Sequence, residues 1–198
     1  MKLYCSPTSP YARKVRIVAA ERGLAAAIEE ITATPFENPV VATANPLSKI
    51  PALVLDDGTA LYDSPVICEY LDSLGAGPRL IPDRGEARWA TLRLQALADG
   101  VLDAAFSSVM ETRRPEAQRS QEWLTRWRAG IARAVTAAGV EPARTSAELN
   151  LGQITLACAL GYLDFRHPDI DWRTAAPELT PWFETWAARP SFAATVPG

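Results

Sequence analysis

The sequence has little of the chemistry that metal sites and catalytic triads require. It contains one histidine and three cysteines in 198 residues. Cys5, Cys68 and Cys158 stand at long, unequal spacings that fit neither a zinc site nor a disulfide framework, so no metal is expected. A Ser-His-Asp triad would depend on His167 alone, and this histidine beside a proline is expected to have a surface or capping role.

An excess of positive charge and a long apolar run are missing as well. Lys and Arg number 20 against 23 Asp and Glu, which gives a net charge of −3 and argues against a nucleic acid partner. No apolar run of about 18 residues and no signal-peptide pattern occurs, so we expect no membrane segment and a cytoplasmic protein. The apolar share of 48% and charged share of 22% are typical of folded proteins.

The two halves of the chain differ in pattern. In the first 73 residues short apolar strands alternate with helices, two of which open at Ser-Pro steps, and an Asp-Gly turn joins two strands. Gly and Pro in residues 74–82 indicate a linker, and the rest of the chain has helical patterns only. The sequence predicts an α/β domain over residues 1–76 and an all-helical domain over residues 83–198.

One segment of the helical half has a clear start signal. Asn150 with Gln153 three residues later is typical of a capping box, in which each side chain bonds the main chain of the other. The helix that follows is apolar almost all round, so we expect it to be central and buried. Cys158 within it is predicted to fill the core.

Three strings carry a resemblance to a known family. The string SPYA at residues 9–12 resembles the Cys-Pro-Tyr-Cys motif of thioredoxin-like folds with both cysteines replaced, which excludes dithiol exchange there. NPLSKIPAL at residues 45–53 and LYDSPVICEYL at residues 61–71 are similar to the segments before strand three and at the start of helix three in cytosolic glutathione transferases. The whole chain resembles this family, most closely its bacterial members with an active-site serine, which implies a thioredoxin-like domain followed by an all-helical one.

The resemblance implies that Ser9 is the catalytic residue. A hydroxyl at the start of the first helix can donate a hydrogen bond to the glutathione sulfur, and the helix dipole favours the thiolate further. On the residues alone, a plain helix N-cap before Pro10 is the simpler interpretation. Cys5, four residues earlier, is the rival nucleophile.

The other two strings imply binding residues for the tripeptide. A cis Ile50-Pro51 bond would present the Ile50 main chain to an extended peptide, and Lys49 beside it could meet the glycyl carboxylate. Asp63 and Ser64, at a helix start, fit the ammonium and carboxylate of the γ-glutamyl end. A solvated lysine, a trans turn and an ordinary Ser-Pro helix start are the alternatives that the residues leave open.

The function implied by the resemblance is a transferase that uses glutathione as co-substrate. It would conjugate the thiol to small hydrophobic electrophiles, as in detoxification, or reduce hydroperoxides, and it would be a homodimer. The alternatives are a non-catalytic glutathione-binding or protein-interaction module of the same fold, or a thiol transferase based on Cys5.

Overall fold

The structure is a computed structural model that describes residues 1–35 and 39–197, with only the main chain of Ala143. Within those residues, no helix is long and apolar enough to span a membrane. The strands are β1 (Lys2–Cys5), β2 (Glu29–Thr32), β3 (Ala52–Val54) and β4 (Ala60–Leu61). The helices are α1 (Pro10–Glu21), α2 (Pro39–Ala44), α3 (Ser64–Leu74), α4 (Glu86–Thr112), α5 (Gln121–Gly139), α6 (Leu151–Arg166), α7 (Trp172–Ala175), α8 (Leu179–Ala187) and α9 (Pro190–Ala193).

The first half forms one mixed sheet with helices. The strand order is β2-β1-β3-β4. β1 and β2 are parallel and are connected through α1, whereas β3 is antiparallel to both of its neighbours. This is the thioredoxin-like arrangement that the sequence predicted, and the helices from α4 to α8 confirm the predicted all-helical part.

The chain divides into two compact units whose boundaries differ from the predicted ones. The thioredoxin-like unit comprises residues 1–81 together with residues 188–197, and the helical unit comprises residues 82–187. The sequence prediction ended the first domain at residue 76 and assigned all of residues 83–198 to the second. Long-range contacts within the first unit explain both differences.

The predicted linker is tied to the end of α3 by a buried carboxylate. Asp72 is 1% exposed and accepts hydrogen bonds from the main-chain N–H groups of Leu80 (2.8 Å) and Ile81 (3.0 Å). Arg79 Nε donates to the same carboxylate at 3.0 Å, and the buried Arg22 lies 3.2 Å from it. These bonds make the residues up to Ile81 part of the thioredoxin-like unit.

The C-terminal residues pack on α1. Arg13 Nη2 donates to the Phe192 carbonyl at 3.1 Å, and the Arg13 guanidinium lies 3.8 Å from the centre of the Phe192 ring. Arg189 donates two 2.7 Å hydrogen bonds to the Glu21 carboxylate, which hold the pKa of Glu21 below its usual value. The sequence analysis assigned this segment to the helical domain, because local patterns do not show which unit it contacts.

In the helical unit, α6 is the buried helix that the sequence predicted. The capping box is confirmed: Asn150 Oδ1 accepts from the Gln153 N–H, and Gln153 Oε1 accepts from the Asn150 N–H, both at 3.0 Å. Cys158 is fully buried in the core. The segment before α6 is held in place because the Arg144 carbonyl accepts from Gln153 Nε2 (3.0 Å) and Trp182 Nε1 (3.1 Å).

Candidate active site

Two of the predicted site segments meet at one edge of the sheet. β1 and β3 are antiparallel, with Tyr4 opposite Ala52. Continuing this register places Pro51 opposite Cys5, the last residue of β1. The loop that carries Ser9 leaves the sheet at that point, so it starts beside the segment that contains Pro51.

The third predicted segment reaches the same edge through β4. Leu53 pairs with Leu61 in antiparallel register, so the chain leaves β4 toward Asp63 and Ser64 at the edge where β3 begins. Neighbouring strands are about 4.8 Å apart, so β1 and β4 are separated by about 10 Å. An extended tripeptide has about the same length.

Ser9 caps α1 and keeps a hydrogen to donate. It is the N-cap residue, with extended φ and ψ, and its Oγ accepts the N–H of Ala12 at 3.2 Å. A hydroxyl oxygen can accept this bond and still donate its own hydrogen. No acceptor for that hydrogen is found among residues 1–35 and 39–197, and the side chain is partly exposed. The capping role and the thiol-binding role of Ser9 are therefore compatible.

Short hydrogen-bonded contacts fix the loop before Ser9. The Ser9 N–H donates to the Ser6 carbonyl at 3.0 Å. Ser6 Oγ and Thr8 Oγ1 are 3.2 Å apart, and the Thr8 N–H donates to Ser6 Oγ at 3.4 Å. The direction in which the chain enters α1 is thus set locally.

Cys5 is unsuited to the role of nucleophile. It is 3% exposed at the end of β1. The pKa of its thiol is raised from 9.0 to about 11, mainly by burial and also by the nearby Glu30 carboxylate, with Arg16 partly offsetting both effects. Because only a thiolate attacks readily, this thiol is unreactive at neutral pH. The geometry therefore argues against the Cys5-based alternative.

The segment around Pro51 has the features that peptide binding needs. The Ile50-Pro51 bond is cis, as the resemblance implied. In the described part of the chain, neither the N–H nor the C=O of Ile50 has a hydrogen-bond partner. Lys49 is exposed, and its ammonium forms no ion pair with any described residue.

The start of α3 presents a carboxylate and a main-chain donor. Asp63, not Ser64, is the N-cap residue, and its exposed side chain does not bond to the helix. Ser64 is 3% exposed and is the first residue of the helix, where an N–H has no acceptor within the helix. The Tyr62-Asp63 peptide bond is also cis.

Sequence reasoning missed one residue of this region, Asn45. It is completely buried, and its side-chain amide donates to the Lys49 carbonyl at 2.9 Å. The only signal in the sequence is an Asn-Pro step four residues before Lys49. That step is equally typical of an ordinary turn.

A groove of about 540 Å³ lies elsewhere, between α4 and α5 of the helical unit. Small residues such as Gly100 and Gly130 line it, together with Trp127 and two arginines, Arg126 and Arg133. None of the predicted site residues lines this groove. The sheet edge, with its unpaired donors and charges, is the better candidate for chemistry.

Fold and site together define a protein with a thioredoxin-like domain, a hydroxyl at the start of its first helix and an attached helical domain. The family models for the N-terminal and C-terminal domains of glutathione S-transferase match residues 8–74 and 121–185. The chain belongs to the glutathione S-transferase family.

Individual relatives agree with this assignment. The chain is 37% identical to the uncharacterized GST-like protein YibF of Escherichia coli, over 100% of this chain and 98% of that protein. It is 32% identical to a stringent starvation protein A homolog of Coxiella burnetii, over 64% of this chain and 59% of that protein.

Solved structures of similar proteins include glutathione complexes. A glutathione transferase family member from Pseudomonas fluorescens, with bound glutathione, superimposes with a TM-score of 0.96 at 41% identity, covering 100% of this chain and 98% of the other. A glutathione S-transferase from Methylobacillus flagellatus with glutathione bound gives a TM-score of 0.92 at 39% identity, covering 100% and 99%.

Proposed function

We propose that the protein is a glutathione transferase that activates the thiol of glutathione through Ser9. The observation that carries this proposal is the Ser9 hydroxyl at the start of α1, which has a hydrogen left to donate. The glutathione bound in the structures from Pseudomonas fluorescens and Methylobacillus flagellatus supports the choice of ligand.

The expected effect of Ser9 is a lower pKa of the bound thiol. A free thiol of this type has a pKa of about 8.5 and is mostly protonated at neutral pH. A hydrogen bond to the thiolate contributes about 1.5 to 3 kcal/mol, and the dipole of α1 contributes about 0.3 to 1 kcal/mol. Since one pKa unit corresponds to about 1.4 kcal/mol, the bound thiol is expected to titrate about one to three units lower.

The other residues at this end of the sheet are proposed to bind the main chain and the charged ends of glutathione. The free N–H and C=O of Ile50, before cis Pro51, pair with the cysteinyl main chain as an added strand would. Lys49 faces the glycyl carboxylate. At the other end, Asp63 faces the ammonium of the γ-glutamyl group, and the Ser64 N–H donates to its carboxylate.

The thiolate then attacks a small hydrophobic electrophile. A new carbon–sulfur bond forms, the leaving group departs with the electron pair of its bond, and the thiol proton is released to water. With a hydroperoxide, two glutathione molecules are oxidised to the disulfide while the peroxide is reduced to an alcohol and water. We further propose a cytoplasmic homodimer, and the three free cysteines fit a reducing compartment.

The function is tested by calorimetric titration with glutathione and by turnover with an aryl halide and with an organic hydroperoxide. We expect saturable binding and glutathione-dependent turnover of one of the two substrates. Binding without turnover of either would point to the non-catalytic module instead. Absence of binding would contradict the proposal as a whole.

A further inference from the structure

Asn45 stands out because its side chain and main chain are hydrogen-bonded both to the loop that follows it and to the end of α2. The residue is completely buried. Its Oδ1 accepts the Leu47 N–H at 3.0 Å, and its Nδ2 donates to the Lys49 carbonyl at 2.9 Å. Its own main chain donates to the Val41 carbonyl (2.7 Å) and accepts the Ser48 N–H (2.8 Å). The loop from residue 45 to residue 49 is folded around this side chain.

The bond from Asn45 to Lys49 determines the direction of the next N–H group. The Lys49 carbonyl and the Ile50 N–H belong to one peptide unit, and this unit is trans. In a planar trans peptide the C=O and N–H point in opposite directions. The amide of Asn45 holds the carbonyl inward, so the Ile50 N–H is held outward, away from the buried amide.

A second anchor acts on the same loop without touching this peptide unit. Ser48 has a positive φ of 50°, and its Oγ donates to the Pro35 carbonyl at 2.8 Å. This bond ties the loop to the chain after β2 but does not itself fix the orientation of the Lys49–Ile50 peptide plane. Substituting Asn45 or Ser48 therefore removes one of these two side-chain bonds without removing the other.

We propose that Asn45 is a positioning residue for glutathione, acting through the Lys49–Ile50 peptide unit. The proposal rests on the proposed function, because it assigns the Ile50 N–H to the ligand main chain. Asn45 does not touch the reacting sulfur. Its loss is therefore expected to weaken binding of glutathione while the pKa of the bound thiol stays unchanged.

The test compares the Asn45→Ser variant with the wild type. Serine keeps an acceptor for the Leu47 N–H but is too short to reach the Lys49 carbonyl. We expect the dissociation constant for glutathione, measured by calorimetry, to rise about fivefold to tenfold, as one lost hydrogen bond predicts. The pKa of the bound thiol, measured by ultraviolet titration at saturating glutathione, should equal that of the wild type.

Two control variants separate positioning from a general loss of stability. Ser48→Ala removes the other anchor of the loop, and Asn150→Ala removes a buried asparagine cap in the helical unit. Both should bind glutathione within about twofold of the wild type, a change smaller than one lost hydrogen bond. If Asn45→Ser unfolds below the assay temperature, all variants and the wild type are compared at a lower temperature at which circular dichroism shows that each is folded.

The outcomes distinguish this inference from the proposed function. If the wild type binds glutathione and Asn45→Ser binds it with the same dissociation constant, the positioning role is overturned and the transferase function is left intact. A loss of affinity that the Asn150 variant shares also overturns it. If the wild type does not bind glutathione, the proposed transferase function itself is contradicted.

Discussion

At the scale of single residues, the central feature is a serine whose hydroxyl accepts one hydrogen bond and keeps its own hydrogen to donate. Ser9 accepts from Ala12 with its oxygen, which fixes the direction of the side chain at the start of α1. The hydroxyl hydrogen can rotate to any acceptor that approaches. In the proposed mechanism, the capping bond already fixes the side chain that donates to the thiolate, which reduces the conformational entropy lost when the ligand binds.

Cys5 gives a prediction about pH and stability. Its pKa in the folded protein, about 11, lies above the usual 9.0, so the unfolded chain loses the proton first as the pH rises. The stability that Cys5 contributes is complete below pH 9 and is lost as the pH rises through about 11. The advantage of the wild type over Cys5→Ala, measured as the midpoint of urea unfolding, should be larger at pH 8 than at pH 10.5.

Activity provides the complementary readout for Cys5. We expect Cys5→Ala to keep glutathione-dependent conjugation, and we expect the native thiol to react slowly with an alkylating agent at pH 8. An unfolded sample is the control, since its three cysteines should react quickly. Rapid alkylation of folded Cys5, or loss of turnover in the variant, would restore the thiol transferase hypothesis.

The residues of the site were predictable to different degrees. Ser9, Asp63 and Ser64 stand at Ser-Pro helix starts, which are visible in the sequence. Lys49 was a candidate only through the resemblance. Asn45 could not be identified, because its role depends on which carbonyl its amide reaches, and a local pattern does not contain that information.

At the scale of elements, α6 was the most predictable part of the fold. Its capping box and apolar sequence are local signals, and both are confirmed. The linker after α3 was predicted, whereas α9 was not, and the placement of neither could be inferred from local patterns. α9 is placed by the contact of Phe192 with the distant Arg13, and the linker is placed by the buried Asp72 carboxylate, which binds the Leu80 N–H eight residues later.

The packing of α6 against α4 gives a prediction at this scale. A Cβ added to Gly152 would lie 2.8 Å from the Thr91 carbonyl oxygen and 2.9 Å from Leu94 Cβ. Gly152→Ala should therefore destabilise the protein by about 1 to 3 kcal/mol, despite the higher helix propensity of alanine. Gly130→Ala in α5 is the control, since a Cβ there meets nothing within 4 Å and the variant should be no less stable than the wild type. Equal unfolding midpoints for Gly152→Ala and the wild type would show that the helices can move apart.

At the scale of the whole molecule, the thioredoxin-like and helical units were predicted in order and type. The change of pattern near residue 74 predicted an α/β domain followed by an all-helical one, and the family resemblance implied that the first is thioredoxin-like. The return of the last residues to the first unit was not predictable, because a helix of four residues carries no information on which neighbour it contacts.

The proposed homodimer is tested by measuring the molecular mass of the protein in solution. Two tryptophans of the helical unit are largely exposed in the single chain, Trp89 at 67% and Trp123 at 50%, and exposed aromatic side chains are typical of contact surfaces. Sedimentation equilibrium should give twice the mass of 21.5 kDa at micromolar protein concentrations. A mass of one chain over that range would contradict the dimer and leave the site in the thioredoxin-like unit unaffected.

The most direct test of the account is the ultraviolet titration of the thiolate of glutathione bound to the wild type and to Ser9→Ala. Ser120→Ala is the matched control, because Ser120 caps α5 in the same way, with its side chain accepting from the Trp123 N–H at 3.3 Å. The account predicts a bound thiol pKa about one to three units below ~8.5 in the wild type and in Ser120→Ala, and a return toward ~8.5 in Ser9→Ala. A bound thiol that titrates at the same pH in all three proteins would contradict it.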